Sequence, residues 1–312
     1  MRVAPVFILT WLTLFSAGAA DLPAELKPVE QALTNEEHAV VTVRALHLEK
    51  RRFAQEVEGK KLTWAGTEEE FNVLYQEAVR GLQIAKQGYE LALASFPKNA
   101  ALHNYFGELL YDELGEEPAA LREWNLALSL DPEHSAAYNN LGIHLLHVGQ
   151  YKEGLRHLDR AIELDDENPD YLFNLVQAYL AHLPDIEKIR GWKKEKVCKE
   201  ALKLSKKAAH LSPDDFSLLR DHALNYFVVA NYDVDINFKD AVKAWQDARA
   251  KAPRQDQVYE SWLHEARMWM KAKDGAEALR CIGEARKLKP EGGEVLDKMT
   301  QQAEALQADG GS

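Results

Sequence analysis

The sequence predicts an all-α chain, an α-solenoid of stacked antiparallel helix pairs, and three observations carry that reading. Apolar residues recur at spacings of three and four along most of the chain, which is the period of one helix face. Helix-stopping residues return at intervals of 35, 34, 47, 40 and 37 residues: Pro97, Pro132, Asp166 in place of a proline, Pro213, Pro253 and Pro290. Small residues then fall at matching places in successive units, where a bulky side chain would hold paired helices apart.

Residues 1–20 read as a secretory signal. Arg2 supplies a positive start, Val3 to Phe15 an apolar stretch, and Ala17-Gly18-Ala19-Ala20 a small-residue site for cleavage after Ala19 or Ala20. The stretch is shorter than the roughly 20 residues a spanning helix needs and contains Pro5, so cleavage is expected rather than a retained anchor. No cysteine follows it, which closes the lipid-attachment route. The expected location is periplasmic or secreted, with no stable membrane span after cleavage.

Residues 21–66 are expected to form an N-terminal helical cap. Thr34-Asn35-Glu36-Glu37 has the form of a capping box, followed at helical spacing by Val40, Val43, Leu46, Phe53 and Val57. Thr67-Glu68-Glu69-Glu70 is a second capping box and opens the repeat region, residues 67–290. The two long helices are expected to pair. The clearest unit runs from Ser135 to Asp165. Tyr138, Leu141, Gly142 and Leu145 share one helix face, Gly149-Gln150 makes the turn, and Leu155, Leu158, Ala161 and Ile162 line the return helix. Residues 291–312 are expected to close the stack with a helix over Gly292–Gln307, presenting Val295, Met299, Ala303 and Leu306, before a frayed tail.

These units resemble the tetratricopeptide repeat of about 34 residues. The pattern is aromatic, Leu-Gly, small residue, large apolar, Ala and Pro; Ala85, Tyr89, Ala92 and Pro97 match its second half, and Ala120, Trp124, Ala127 and Pro132 close the next unit. It returns in Ala201, Ala208 and Pro213, in Ala241, Trp245, Ala248 and Pro253, and in Trp262, Ala266, Trp269, Ala278, Ile282, Ala285 and Pro290. The resemblance implies a right-handed superhelix. The two long units carry extra residues at 182–196 and 230–237, between their paired helices. Both are expected to be loops on one edge.

Composition narrows function. The chain has 50 acidic and 38 basic residues and a formal charge of −12, which disfavours a nucleic-acid partner. Cys198 and Cys281 lie far apart and make no disulfide framework. There is no Gly-x-Ser-x-Gly, no His-Glu-x-x-His, no Cys-x-x-Cys and no phosphate-cradling loop, so no enzyme class, cofactor or metal is expected. His144, His147 and His157 lack the spacing of a zinc set. Asp233-Val-Asp235-Ile-Asn237 opens like a calcium loop, but Phe238 stands at the turn glycine and Ala244 at the closing glutamate. A turn is the expected structure there.

Two surfaces remain as candidates. The resemblance implies a concave face lined by the first helices of successive repeats. In that family an asparagine two residues before the small position often bonds a bound peptide's backbone. Asn140 and Asn174 occupy that place, with Gln177 one turn on; Asn139, Tyr105, Phe173, Arg220, His264 and Arg267 are neighbours by helix face. An amide both donates and accepts, which matches a peptide unit. The carboxylate-clamping pattern of chaperone-binding members is not met at Asn139, Asp170 and Phe173. The second surface is the basic stretch with Arg190, Trp192, Lys193 and Lys194, which would grip an acidic segment by charge and aromatic contact, or else fold onto the repeat. The expected role is a non-catalytic scaffold that binds a protein or peptide. A structural, self-associating envelope component and an accessory subunit of an envelope enzyme are the alternatives.

Overall fold

The computed structural model describes residues 22–290 and 293–309. The secretory-signal expectation, the first residue of the expected closing helix and the end of the tail lie outside those residues. The chain divides into two compact units, Met1–Glu123 and Trp124–Ser312.

The first unit opens with a 3-10 turn (Ala24–Leu26) and helices α1 (Lys27–Ala32), α2 (Glu36–Lys60) and α3 (Glu68–Ser95). It continues through α4 (Ala100–Glu108), a π-helical turn (Leu109–Glu113) and the start of α5 (Glu117–Leu130). As expected, α2 and α3 pack together as a long pair. Their 25 and 28 residues make helices of about 37 and 42 Å. The Thr67 capping box is present: the Glu70 amide donates to Thr67 Oγ1 at 3.2 Å and the Thr67 amide to Glu70 Oε2 at 2.8 Å. The one expected at Thr34 is not. Thr34 donates to the Gln31 carbonyl instead, and Asn35 is the cap, accepting from the His38 amide at 2.9 Å. With the start moved one residue on, Glu37 no longer sits three past the cap and cannot reach back.

The second unit contains the end of α5 and then α6 (Ser135–His147), α7 (Tyr151–Leu164), α8 (Pro169–Ala181), α9 (Leu183–Arg190) and α10 (Lys194–Leu211). After these come α11 (Phe216–Asn231), α12 (Phe238–Ala250), α13 (Gln255–Lys271), α14 (Gly275–Leu288) and α15 (Gly293–Asp309). The pairs α6/α7, α8/α10, α11/α12 and α13/α14 are the hairpins. Each packs on the next through α7 on α8, α10 on α11 and α12 on α13, and α15 covers α14. Every described residue in regular structure is helical, as predicted.

Local chemistry explains the punctuation. Helices α3, α5, α7, α10, α12 and α14 stop two or three residues before the closing positions. Two residues past a closing position, Asn99, His134, Asn168 and Asp215 each cap the following helix by accepting a backbone N–H. The helix after Pro253 breaks that rule: its cap falls only one residue past the closing position, at Arg254, whose side chain has no acceptor to offer. Gly142 and Gly154 face one another across α6/α7. A Cβ on Gly142 would lie 2.9 Å from Leu158 and 3.1 Å from the Gly154 carbonyl, so the seam closes only with glycine.

Two expectations need correction. Residues 182–196 are mostly helix, not loop. Pro184 sits in the first turn of α9, Leu183 and Ile186 are buried, and Gly191 ends it at φ +64°. An insertion with its own apolar face gains more by packing than by lying in water. The second insertion is a loop as expected, with Asp233 at φ +55° and Asn237 capping α12. The two insertions pack together: Val234 joins Leu183 and Ile186 in one cluster, Tyr232 Oη donates to the Leu180 carbonyl at 2.6 Å, and Lys194 Nζ to the Tyr232 carbonyl at 2.7 Å. In the closing helix Leu296, Met299 and Ala303 are buried, whereas Val295 is 52% exposed. Met299, Ala303 and the half-buried Leu306 keep the expected face, and only Val295 leaves it, its place taken by Leu296.

Candidate functional site

In the second unit, α6, α8, α11 and α13 are the first helices of their hairpins, and α8 packs against both α6 and α11. Three of the expected residues meet there. Asn174 Nδ2 donates to Asn139 Oδ1 at 2.9 Å, and Asn139 Nδ2 approaches Asn140 Oδ1 at 3.4 Å. Asn139 is buried and serves as the link. One Asn174 N–H is spent inside the protein, while its Oδ1 accepts no bond from the described residues. Gln177, one turn along α8, is exposed. Phe173 is half-buried.

Arg220 and His264 meet in a separate cleft of about 170 Å³ between α11 and α13. The imidazole of His264 lies flat on the indole of Trp245, with centroids 4.5 Å apart and planes at 9°. Phe227 meets its edge, and Arg267 approaches His264 Nδ1 at 3.3 Å. Burial, with the Arg267 charge adding to it, holds His264 down at about 4, so it is neutral near pH 7. Trp245, at the floor, and Gln257, on the wall, each keep a buried polar atom without a partner among the described residues, Nε1 and Oε1. Neither residue was picked out by the sequence as part of a site. Trp245 matched the repeat pattern and read as core, and nothing in one sequence separates a packed indole from a cleft floor.

Tyr105 lies in the first unit, under the Arg44 guanidinium at 4.2 Å from its ring centre. Behind it is a buried polar network. His47 contacts Tyr89 Oη at 3.1 Å and Glu113 at 3.3 Å, Arg51 bonds Glu113 at 2.9 Å, and Arg44 bonds Glu108 at 2.7 Å. The π-helical turn carries Glu113 into this cluster.

The basic stretch is largely engaged within the fold. Arg190 holds Asp159 with two bonds of 2.6 and 2.7 Å. Trp192 is half-buried, edge-on to Tyr179, with Lys196 Nζ 4.2 Å above its ring. Lys194 is tied to the Tyr232 carbonyl, and Lys193, at the α10 cap, is exposed. Among the described residues no group of three or more His, Cys, Asp or Glu is placed to hold a metal ion, and no helix is long and apolar enough to cross a membrane. Asn237, read from sequence as part of a calcium-like run, spends its Oδ1 on the amides of Lys239 and Asp240.

No protein-family model and no curated protein matches the sequence. Solved structures do. YrrB, a TPR protein with an unusual peptide-binding site, is similar at 18% identity over 70% of this chain and 97% of its own, with a TM-score of 0.50. The C-terminal part of a TPR repeat-containing protein from Cytophaga hutchinsonii is similar at 16% identity over 87% of this chain and 98% of its own, with a TM-score of 0.52. The chain has the tetratricopeptide-repeat fold.

Proposed function

We propose that the protein is an exported binding scaffold whose first-helix face, over α6 and α8, holds an extended segment of a partner protein. The observation that carries this reading is the amide run Asn140–Asn139–Asn174, continued by Gln177. The internal bond fixes the Asn174 side chain, so its remaining acceptor and N–H are held in place at little entropic cost on binding. The exposed Gln177 adds a second donor and acceptor one turn away, which suits successive peptide units. A peptide-binding site is described for YrrB, which shares the fold. Export rests on residues 1–20 as read from sequence.

The test is capture of partners from the exporting compartment by the native chain and by an Asn174→Ala/Gln177→Ala variant. Loss of hydrogen bonds worth about 1 kcal/mol each predicts binding weaker by about tenfold or more. Equal capture by a variant that melts like the native chain would refute the assignment. Export is tested by the mass of the exported chain, expected to begin at Ala20 or Asp21.

A further inference from the structure

Helix α11 has two working faces. Phe216, Arg220 and Leu224 face the cleft against α13, while Leu219, His222 and Tyr226, offset by three and four residues, face the opposite way. On that second side a cleft of about 320 Å³ opens between α10 and α12, the second helices of two successive hairpins. It lies away from the amide run, and nothing in the peptide-binding reading uses it.

The floor of this cleft is polar and incompletely bonded. His222 is 8% exposed and Tyr226 5%. His222 Nδ1 is 2.5 Å from Ser205 Oγ, which is itself buried and has no other partner among the described residues. If Nδ1 carried the proton, the Ser205 hydroxyl would be a buried donor with no acceptor among the described residues, so the Ser205 hydroxyl gives its proton to Nδ1 and the unmet donor is left on His222, which lines the cleft. Nε2 then carries the imidazole proton. Burial, with the nearby Lys206 charge second, holds His222 at about 4, so the ring is neutral near pH 7. Tyr226 is pushed up to about 12 by burial and by Asp240, so its hydroxyl also keeps its proton. Neither Nε2 nor the Tyr226 hydroxyl has a partner among the described residues.

The rim adds charge and the walls add apolar surface. Lys243 is paired with Asp247, and Lys251 with Asp214. Lys206 lines the cleft with no ion pair among the described residues and lies close enough to His222 to depress its ionisation. Ala209, Leu219 and Ala244 form the walls. Two neutral donors and one ammonium without an ion pair in a single lining suit an oxyanion, and the walls suit a short aliphatic body. Asp240 acts on both His222 and Tyr226, and Asp247, paired with Lys243, acts on His222, so a single negative charge is held only against Lys206 and a second is opposed.

We propose that this cleft binds a monocarboxylate with a small branched aliphatic body, its oxygens taken by His222 Nε2–H, the Tyr226 hydroxyl and Lys206. The carboxylate can belong to a free acid or to the end of a partner chain. Calorimetric titration of the full chain with 4-methylpentanoate and with 4-methylpentanamide tests the chemistry. A short peptide ending in leucine, with a free or an amidated terminus, tests the source. The acid is expected to bind at least about tenfold more tightly than its amide, and Tyr226→Phe or Lys206→Gln to weaken it about tenfold, the loss of one charge-assisted hydrogen bond. Binding of the free-terminus peptide but not the small acid supports the site with a chain terminus as its source, and the reverse supports a free acid. Two results overturn it: no binding of either carboxylate at millimolar concentration, or unchanged affinity in both variants while they melt like the native chain. Because Asn174 and Gln177 are untouched here, failure of this cleft and failure of the first-helix face are read separately.

Discussion

The hairpins α6/α7 and α11/α12 are built on one repeat pattern and end as opposites. In α6/α7 two glycines oppose each other, the backbones approach closely, and Leu155 and Leu158 fill what remains. In α11/α12 the small places hold Ala223 and Ala241, and the large ones Tyr226 and Trp245. A cleft lies on each face of α11, one between α10 and α12 with Tyr226 in its lining and one between α11 and α13 with Trp245 in its lining. A buried imidazole, His222, and a half-buried one, His264, lie at those clefts, each with a ring nitrogen that has no partner among the described residues. One repeat period thus supports a hairpin closed on glycines or one flanked by clefts.

The largest way to break the contrast is Trp245→Ala. Removing this fully buried indole is expected to cost about 3–5 kcal/mol in urea unfolding. Trp245→Phe should cost much less, because it also removes an indole N–H that has no partner. A loss for Phe equal to that for Ala would mean that the N–H is satisfied in solution.

Acid should act next, at the two clefts. Both histidines titrate lower in the folded chain than unfolded, from 6.5 to about 4. The unfolded chain therefore binds more protons between those values, and stability falls as pH drops from about 6.5 toward 4, by up to about 3 kcal/mol per histidine. A His222→Gln/His264→Gln variant should flatten that limb in a series of melts; an unchanged slope would place the acid sensitivity elsewhere.

A smaller effect sharpens the closed side. Gly142→Ala gains helix propensity but sets a methyl against Leu158 and the Gly154 carbonyl, for a net loss of about 1–2 kcal/mol. A rise in Tm instead would show that Leu158 can move aside. The smallest effect compares the two return helices. Asn237 caps α12 through two amides, whereas Gln150 before α7 makes no side-chain cap. Asn237→Ala should cost about 1 kcal/mol and Gln150→Ala close to nothing, both read from Tm.

The sequence by itself determined the repeats. Closing prolines, small residues in register and the Thr67 capping box are local signals, legible because helix stops and caps depend on neighbours within one turn. Phase was less secure. At a helix start, neighbouring residues offer the same chemistry, so the sequence points to Val295 where Leu296 is buried and to Thr34 where Asn35 is the cap, while Met299 and Ala303 further along fall on the expected face. Tertiary structure alone decided what long-range pairing controls. It turned residues 183–190 into α9 by giving Leu183 and Ile186 a surface to bury, and it tied Arg190 to Asp159. It drew Asn139, Asn140 and Asn174 together across α6 and α8. It also set the two faces of α11 on clefts of different chemistry. A helix period places residues on a face, but what that face meets depends on which helices pack beside it.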